Sequence, residues 1–447
     1  MDDLLSTIAH LIGEAQKLGA NEVEVYAQRT SSKDVNIESN NLKSAVNQVL
    51  EGVGIRVLKD KSIGFASVNS LNPKSLIDGL HGAVAIARVT PAMDNYYFSE
   101  PRKISQIEEL YDSAVADMSM DEVIERAESL LMTTKNVDPR VRVDSGSFSA
   151  STTETAIANS SGLQAIEKKS AVSWFMVGMA VDGEDIGSLD YDVNASIRLK
   201  DADPETTGRE LGKKVLTYLN AGKTESFEGP AIISADALGE LIDVVIQSAS
   251  ANKIHAGASY LKDRLGEPIF SEQLTIIDDG TTKNRIGSSS FDREGIPHSK
   301  HVIVDRGVFK GLLYDTFTAN KDGLQSTGHA SGRFRQTPTI SSTNLEILPG
   351  SEKLEDMISE IEHGLYIPRI SAFPDPVSGD FSGPVKGGQL IRNGEIECTL
   401  KEITITGNLF EALKNIRAIG RERKSVAFQG QTWNIPSITL TGMKFAC

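Results

Sequence analysis

The stretch that sets the fold is residues 22–68, EVEVYAQRTSSKDVNIESNNLKSAVNQVLEGVGIRVLKDKSIGFASV. Val23, Val25 and Ala27 alternate with Glu22, Glu24, Tyr26 and Gln28, a period of two that predicts a strand with one wet face. Further strand-like runs follow at 33–39, 42–50, 53–59 and 62–68, separated by the turn-formers Asn40-Asn41 and Lys59-Asp60-Lys61. The pattern is that of an antiparallel meander. Before it, Leu4, Leu5, Ile8, Leu11, Ile12 and Ala15 recur at helical spacing and Gly19 supplies a left-handed stop. After it, Asn72-Pro73 offers an N-cap and first-turn proline to a helix with the apolar stripe Leu76, Ile77, Leu80, Ala83, Val84 and Ala87. His81, beside that stripe, reads as a packed histidine.

Pro91 and Pro101 break the periodicity over 90–104, which reads as a linker. The plan then repeats: a helix over 120–134, strands between 140 and 198, and a helix over 204–220 led by Asp203-Pro204. Gly208 and Gly212 on that last helix predict close backbone packing. From Gly229-Pro230 onward the chain is strand-rich, with helices expected at 235–250, 351–363 and 408–416. Hairpins are expected at 301–314 and 388–406, around Asp305-Arg306-Gly307 and Asn393-Gly394. The fold class is therefore α+β, in three segments: 1–90, 105–222 and a strand-rich 228–447.

The chain of 447 residues is 39% hydrophobic and 24% charged, which excludes a disordered polymer. Forty-six Lys and Arg against 61 Asp and Glu leave a net charge of -15, opposing non-specific nucleic-acid binding. The basic run Arg417–Lys424 reads as a solvated face. No export signal opens the chain at Met-Asp-Asp and no run of 18 apolar residues occurs, so a cytoplasmic location without membrane insertion is expected. Two cysteines, Cys398 and Cys447, are too few for a disulfide framework or a four-thiolate metal site.

Phosphate-loop, dinucleotide, His-Glu-x-x-His and Gly-x-Ser-x-Gly signatures are all missing from the sequence. Seven histidines occur. His298 and His301 sit three apart, a spacing that in a strand sends the rings to opposite faces and suits one metal ion poorly. His329 lies in the glycine-flanked stretch Gly328–Gly332, which can bend tightly and present an imidazole. With Thr327 and Arg333 it is the candidate for gripping peptide carbonyls. The pair Asp278-Asp279, just before Gly280, reads as a turn cap, and Asp375/Asp380 reads as structural.

Four ordered blocks resemble the TldD/PmbA family of peptide-maturation metalloproteases, also called modulators of DNA gyrase: Leu274–Gly280 (LTIIDDG), Ser290–Pro297 (SFDREGIP), Gly323–Ala330 (GLQSTGHA) and Glu402–Leu409 (EITITGNL). The resemblance implies two paired chains. The TldD-type chain holds zinc with a His-Glu-x-x-x-His helix and a late cysteine, its Glu acting as general base; the PmbA/TldE-type chain lacks these groups. In this sequence the corresponding helix reads Gln247-Ser248-Ala249-Ser250-Ala251-Asn252, and the late segment Ser425–Gln431 has no cysteine. Gln247, Ser248, Ala251 and Asn252 are thus the degenerate motif positions, with no catalytic, cofactor or metal residue expected. The function implied by the resemblance is that of a non-catalytic subunit, with no cofactor of its own, that pairs with a zinc-bearing TldD-type chain acting on unfolded or extended peptides. Two rival readings remain: a self-sufficient metallopeptidase using His255, His298, His301 and His329, and a peptide-binding scaffold homodimer.

Overall fold

The computed structural model describes residues 4–428 and 430–447. Helix α1 (Leu4–Lys17) is followed by β1 (Glu22–Glu38), β2 (Asn41–Lys59), β3 (Ser62–Val68) and α2 (Pro73–Ala87). The side chain of Asn72 accepts from the Lys74 amide at 2.9 Å, and Pro73 opens α2. Next come α3 (Ser113–Asp117), α4 (Met120–Lys135), β4 (Val141–Asn159), β5 (Gln164–Asp182), β6 (Asp185–Ile186), β7 (Asp190–Ser196) and α5 (Pro204–Leu216). Ser119 and Glu122 close a reciprocal capping box on α4, and Asp203 caps α5 through the Thr206 amide.

The meander is present but its strands are longer than the sequence pattern suggests. The runs at 22–28 and 33–39 are one strand, as are 42–50 and 53–59. Polar cross-strand pairs carry the ladder through the weakly apolar middle: Arg29 Nε donates to Glu51 Oε2 at 3.0 Å, and the Thr30 and Thr153 hydroxyls lie 3.0 Å apart. Ser39-Asn40 and Asp60-Lys61 supply the positive φ values that the two tight turns require. β1 pairs with β2 on one side and with β4 on the other, so a single sheet in the order β3-β2-β1-β4-β5-β6 spans the 90–104 linker, with β7 also on β5. Helices α1 and α2 cover one end of this sheet, and α4 and α5 cover the other. A Cβ at Gly208 would stand 2.8 Å from Leu130 O, and one at Gly212 would stand 2.9 Å from Thr134 O, so both glycines let α5 approach the α4 backbone.

The remaining elements are β8 (Phe227–Ile233), α6 (Ala235–Ser248), α7 (Ala251–His255), β9 (Ile276–Asp279), β10 (Lys300–Asp305), β11 (Val308–Phe309), α8 (Thr316–Lys321), β12 (Ala330–Ser331), β13 (Thr339–Ile340) and β14 (Leu345–Ile347). They continue with α9 (Leu354–Ser359), β15 (His363–Ile367), β16 (Arg369–Ile370), β17 (Asp380–Lys386), β18 (Gln389–Arg392), β19 (Glu395–Thr399), β20 (Ile403–Asn408), α10 (Leu409–Lys414), β21 (Ile416–Phe428) and β22 (Gln431–Ala446). A second, 13-stranded sheet runs β11-β10-β9-β14-β22-β8-β15-β18-β19, with β16, β17, β20 and β21 attached to its side. Both expected hairpins form, with Arg306-Gly307 and Asn393-Gly394 at positive φ in their turns. The helix expected over 351–363 is only α9, because the chain turns at Ile361 and enters β15 at His363. Helix α6 is buried on nearly all sides, and the second sheet's main core forms around it.

Candidate functional site

Helix α6 begins at Ser234, whose hydroxyl accepts from the Ala237 amide, and ends at Ser248. It does not run through residues 247–252 as one helix. The backbone breaks at Ala249–Ser250 to pair with Leu313: Leu313 N donates to Ala249 O and Ala251 N donates to Leu313 O, each at 2.9 Å. Gln247 and Asn252 therefore sit on two different helices, α6 and α7. The side chain of Ser248 is fully buried and its hydroxyl donates to Pro376 O at 3.1 Å. Ala251 is buried against Tyr314 and Ala319. Gln247 donates to Asp243, and Ser250 Oγ donates to Asn252 Oδ1 at 2.6 Å.

A cavity of about 370 Å³ opens here, lined by Gln247, Ser250, Asn252, Ser341, Ser342 and Gln431. Gln431 is held on every side: Nε2 donates to Ser341 Oγ at 2.9 Å and to Ser342 O at 2.6 Å, while Oε1 accepts from Ser342 Oγ and Trp433 Nε1. Gln429, part of the late segment, lies outside the described residues. This donor set does not fit zinc, which takes imidazole, thiolate or carboxylate ligands. Amides, hydroxyls, the Lys253 ammonium and apolar side chains line the cavity, and its one carboxylate among the described residues, Asp243, accepts from Gln247. Among the described residues no group of three or more His, Cys, Asp or Glu is placed to hold a metal ion. Cys398 packs beside Gly222, and Cys447 is exposed at the end of the chain.

Of the four histidines in the rival reading, three lie near one another and His255 does not. His255 faces Asp322 at 2.8 Å. His298 precedes β10, so the strand-face argument does not govern it, and the rings of His301 and His329 are 5.3 Å apart. The glycine-flanked loop buries His329 instead of presenting it, with 1% exposure. Its Nδ1 meets Thr327 Oγ1 at 2.7 Å and its Nε2 meets Asp278 Oδ2 at 3.0 Å. Burial alone would raise the Asp278 carboxyl, but His329 and the Thr343 donors outweigh it and hold it below its usual value. Enclosure by protein, with repulsion from His329, pushes His298 down to about 3 and His301 down to about 4. Thr327 and His329 are thus spent on each other, while Arg333 points to solvent, so the three share no common face. Asp279 caps a turn through the Thr281 amide as expected, whereas Asp278 is a core acceptor.

The face of β1 expected to be wet is covered. Glu24 is fully buried, and Arg56 binds it with Nε at 3.0 Å and Nη2 at 2.6 Å. Arg56 also meets Glu294 Oε1 at 2.9 Å, and Arg293 Nη1 meets Glu24 Oε1 at 3.1 Å. The block Ser290–Pro297 thus locks the second sheet onto the first through four alternating buried charges. Sequence reading missed this, although a charged triplet flanked by Phe291 and Ile296 is a signal for it. Beside the lock lies a larger cavity of about 400 Å³, between the first sheet and the loops around 286–298 and 329–343. It shares Ser331, Ser341, Ser342 and Gln431 with the cavity at the end of α6.

Comparison with known proteins gives three family matches along the chain. Residues 23–87 match the PmbA/TldA metallopeptidase domain 1, 114–219 its central domain and 226–447 its C-terminal domain. The chain belongs to the PmbA/TldD metallopeptidase family. It is 27% identical to a metalloprotease of Methanothermobacter thermautotrophicus over 92% of this chain and 90% of that protein. It is 25% identical to metalloprotease PmbA of Escherichia coli over 83% and 81%. The fold superposes on TldE from Thermococcus kodakarensis with a TM-score of 0.90 at 24% identity, over 99% and 100% of the two chains. Among the described residues of this PmbA/TldD family chain, no helix is long and apolar enough to cross a membrane.

Proposed function

We propose that this chain is the non-catalytic, PmbA/TldE-type subunit of a two-chain metallopeptidase, pairing in the cytoplasm with a TldD-type chain that carries the zinc and cuts unfolded or extended peptides. The observation that carries this reading is the cavity at the end of α6: Gln247, Asn252 and Gln431 are neutral amides, and the Ser248 hydroxyl turns away to Pro376. Hydrolysis at zinc needs about three protein ligands and a base for the bound water. Neutral amides at the exposed mouth of the cavity, Gln247 and Asn252, and the bonded Gln431 supply none of these ligands. The unpaired strand edges of a strand-rich domain suit a partner that handles extended chains, since main-chain hydrogen bonds bind them with little sequence preference.

The test is a peptidase assay on an unstructured peptide with the purified chain alone, a TldD-type chain alone and the two mixed. Activity should require the TldD-type chain, and co-sedimentation should show the pair. Chelator-sensitive cleavage by this chain on its own would contradict the proposal.

A further inference from the structure

The larger cavity contains a lysine that forms no direct ion pair among the described residues, although Glu167 and Asp292 also line it. Lys169 lines it from β5, and its Nζ donates to Ile286 O at 2.9 Å and to Ser288 O. Two carbonyls take two of the three ammonium hydrogens. Among the described residues no carboxylate lies within ion-pair distance. Glu167, two residues away on the same strand, is engaged by Ser289 Oγ at 2.6 Å and Ser290 N at 2.7 Å. Asp292 is engaged by the amides of Glu294, Ile296 and Ala330. Burial lowers the Lys169 pKa, and the nearby Glu167 carboxylate offsets this only in part.

The same wall has other unspent polar atoms. Arg293, stacked on the Tyr26 ring at 3.7 Å, gives Nη1 to Glu24 but leaves Nε and Nη2 without a partner. Gln28 Oε1, buried on the adjacent β1 face, has none either. Buried polar groups are nearly always paired, so the unused Arg293 donors point to an acceptor in the cavity, while Gln28 Oε1, itself an acceptor, calls for a donor such as a peptide amide.

We propose that this cavity is a carboxylate-binding subsite in which the Lys169 ammonium holds the carboxylate beside the hydroxyl of Thr153, its cross-strand neighbour, which donates to the ligand when it accepts from Thr30. Its volume is within the range of small-ligand pockets. The shared lining residues Ser331, Ser341, Ser342 and Gln431 connect it to the cavity at the end of α6. An extended peptide with its C-terminal carboxylate on Lys169 would therefore run past Gln431 toward Gln247. A free small carboxylic acid offers Lys169 the same chemistry. The subsite is a property of this chain alone and does not depend on a TldD-type partner.

Calorimetric titration of the purified chain tests it, using an unstructured peptide with a free C-terminus, the same peptide amidated, and succinate. The free-acid peptide should bind at least about tenfold tighter than the amide, and Lys169→Met should remove that difference while the unfolding midpoint stays near wild type. Succinate binding as tightly as the peptide would make the ligand a small acid and would still support the subsite. Equal affinity for acid and amide peptides with no succinate binding would overturn it, as would wild-type affinity in Lys169→Met. If Lys169→Met does not fold, the acid-against-amide comparison on the wild-type chain decides.

Discussion

At the scale of single residues, the most consequential group is Arg56, buried between Glu24 and Glu294. A buried ion pair adds little over an apolar replacement, but removing one partner strands the other charges. Arg56→Ala should therefore cost about 3–5 kcal/mol, read as a lower urea midpoint at constant slope. A loss within about 0.5 kcal/mol would mean that Glu24 and Glu294 are not enclosed as described. His298 and His301 give a pH dependence whose sign is fixed. Their folded values of about 3 and about 4 lie below the unfolded value of roughly 6.5, so unfolding takes up protons as the pH falls through that window. Stability should decline on acidification by up to about 1.4 kcal/mol per pH unit for each histidine. Denaturation curves between pH 7 and 4 should flatten in the His298→Gln, His301→Gln double variant. An unchanged slope would contradict the burial assigned to both rings.

At the scale of elements, the α4–α5 contact is set by backbone approach at two glycines. A side chain at Gly212 would meet Val137 Cγ2 at 2.6 Å, and one at Gly208 would meet Thr133 Oγ1 at 2.6 Å. Gly212→Val should destabilise by about 1–3 kcal/mol or more through overpacking, while Glu210→Ala on the exposed face of the same helix should stay within about 0.5 kcal/mol. Equal effects in thermal unfolding would show that the helices do not touch there. These contacts were legible in the sequence because small residues at i and i+4 leave room on one helix face. Caps at Asn72 and Asp203 and the turns at Asp305–Gly307 and Asn393-Gly394 were legible for the same local reason. What local reading missed was compensation across strands. The polar run Arg29–Ser32 looks like a strand break until Glu51 and Thr153 are brought beside it. Glu24 looks solvated until the 290–297 block covers it.

At the scale of the whole molecule, β1 joins β4 across the linker, and the Ser290–Pro297 block joins the two sheets. Neither pairing leaves a periodic trace in the sequence, because the partners are more than a hundred residues apart. The stretch Gln247–Asn252, without His or Glu, was readable letter by letter. Its break at Ala249–Ser250 was not, since that depends on pairing with Leu313, and neither was the meeting of Gln431 with Ser341 and Ser342. The Lys169 cavity likewise draws on both sheets. The chain thus carries a PmbA/TldD metallopeptidase fold whose cavity at the end of α6 presents the amides of Gln247, Asn252 and Gln431, and the deciding question is what that cavity can hold. The most direct measurement is zinc content by mass spectrometry after loading the purified chain with zinc and desalting it. No retained zinc is predicted in the chain alone, with zinc appearing only when a TldD-type chain is present. Zinc retained at one ion per chain, lost in a Gln431→Ala or Asn252→Ala variant, would contradict this.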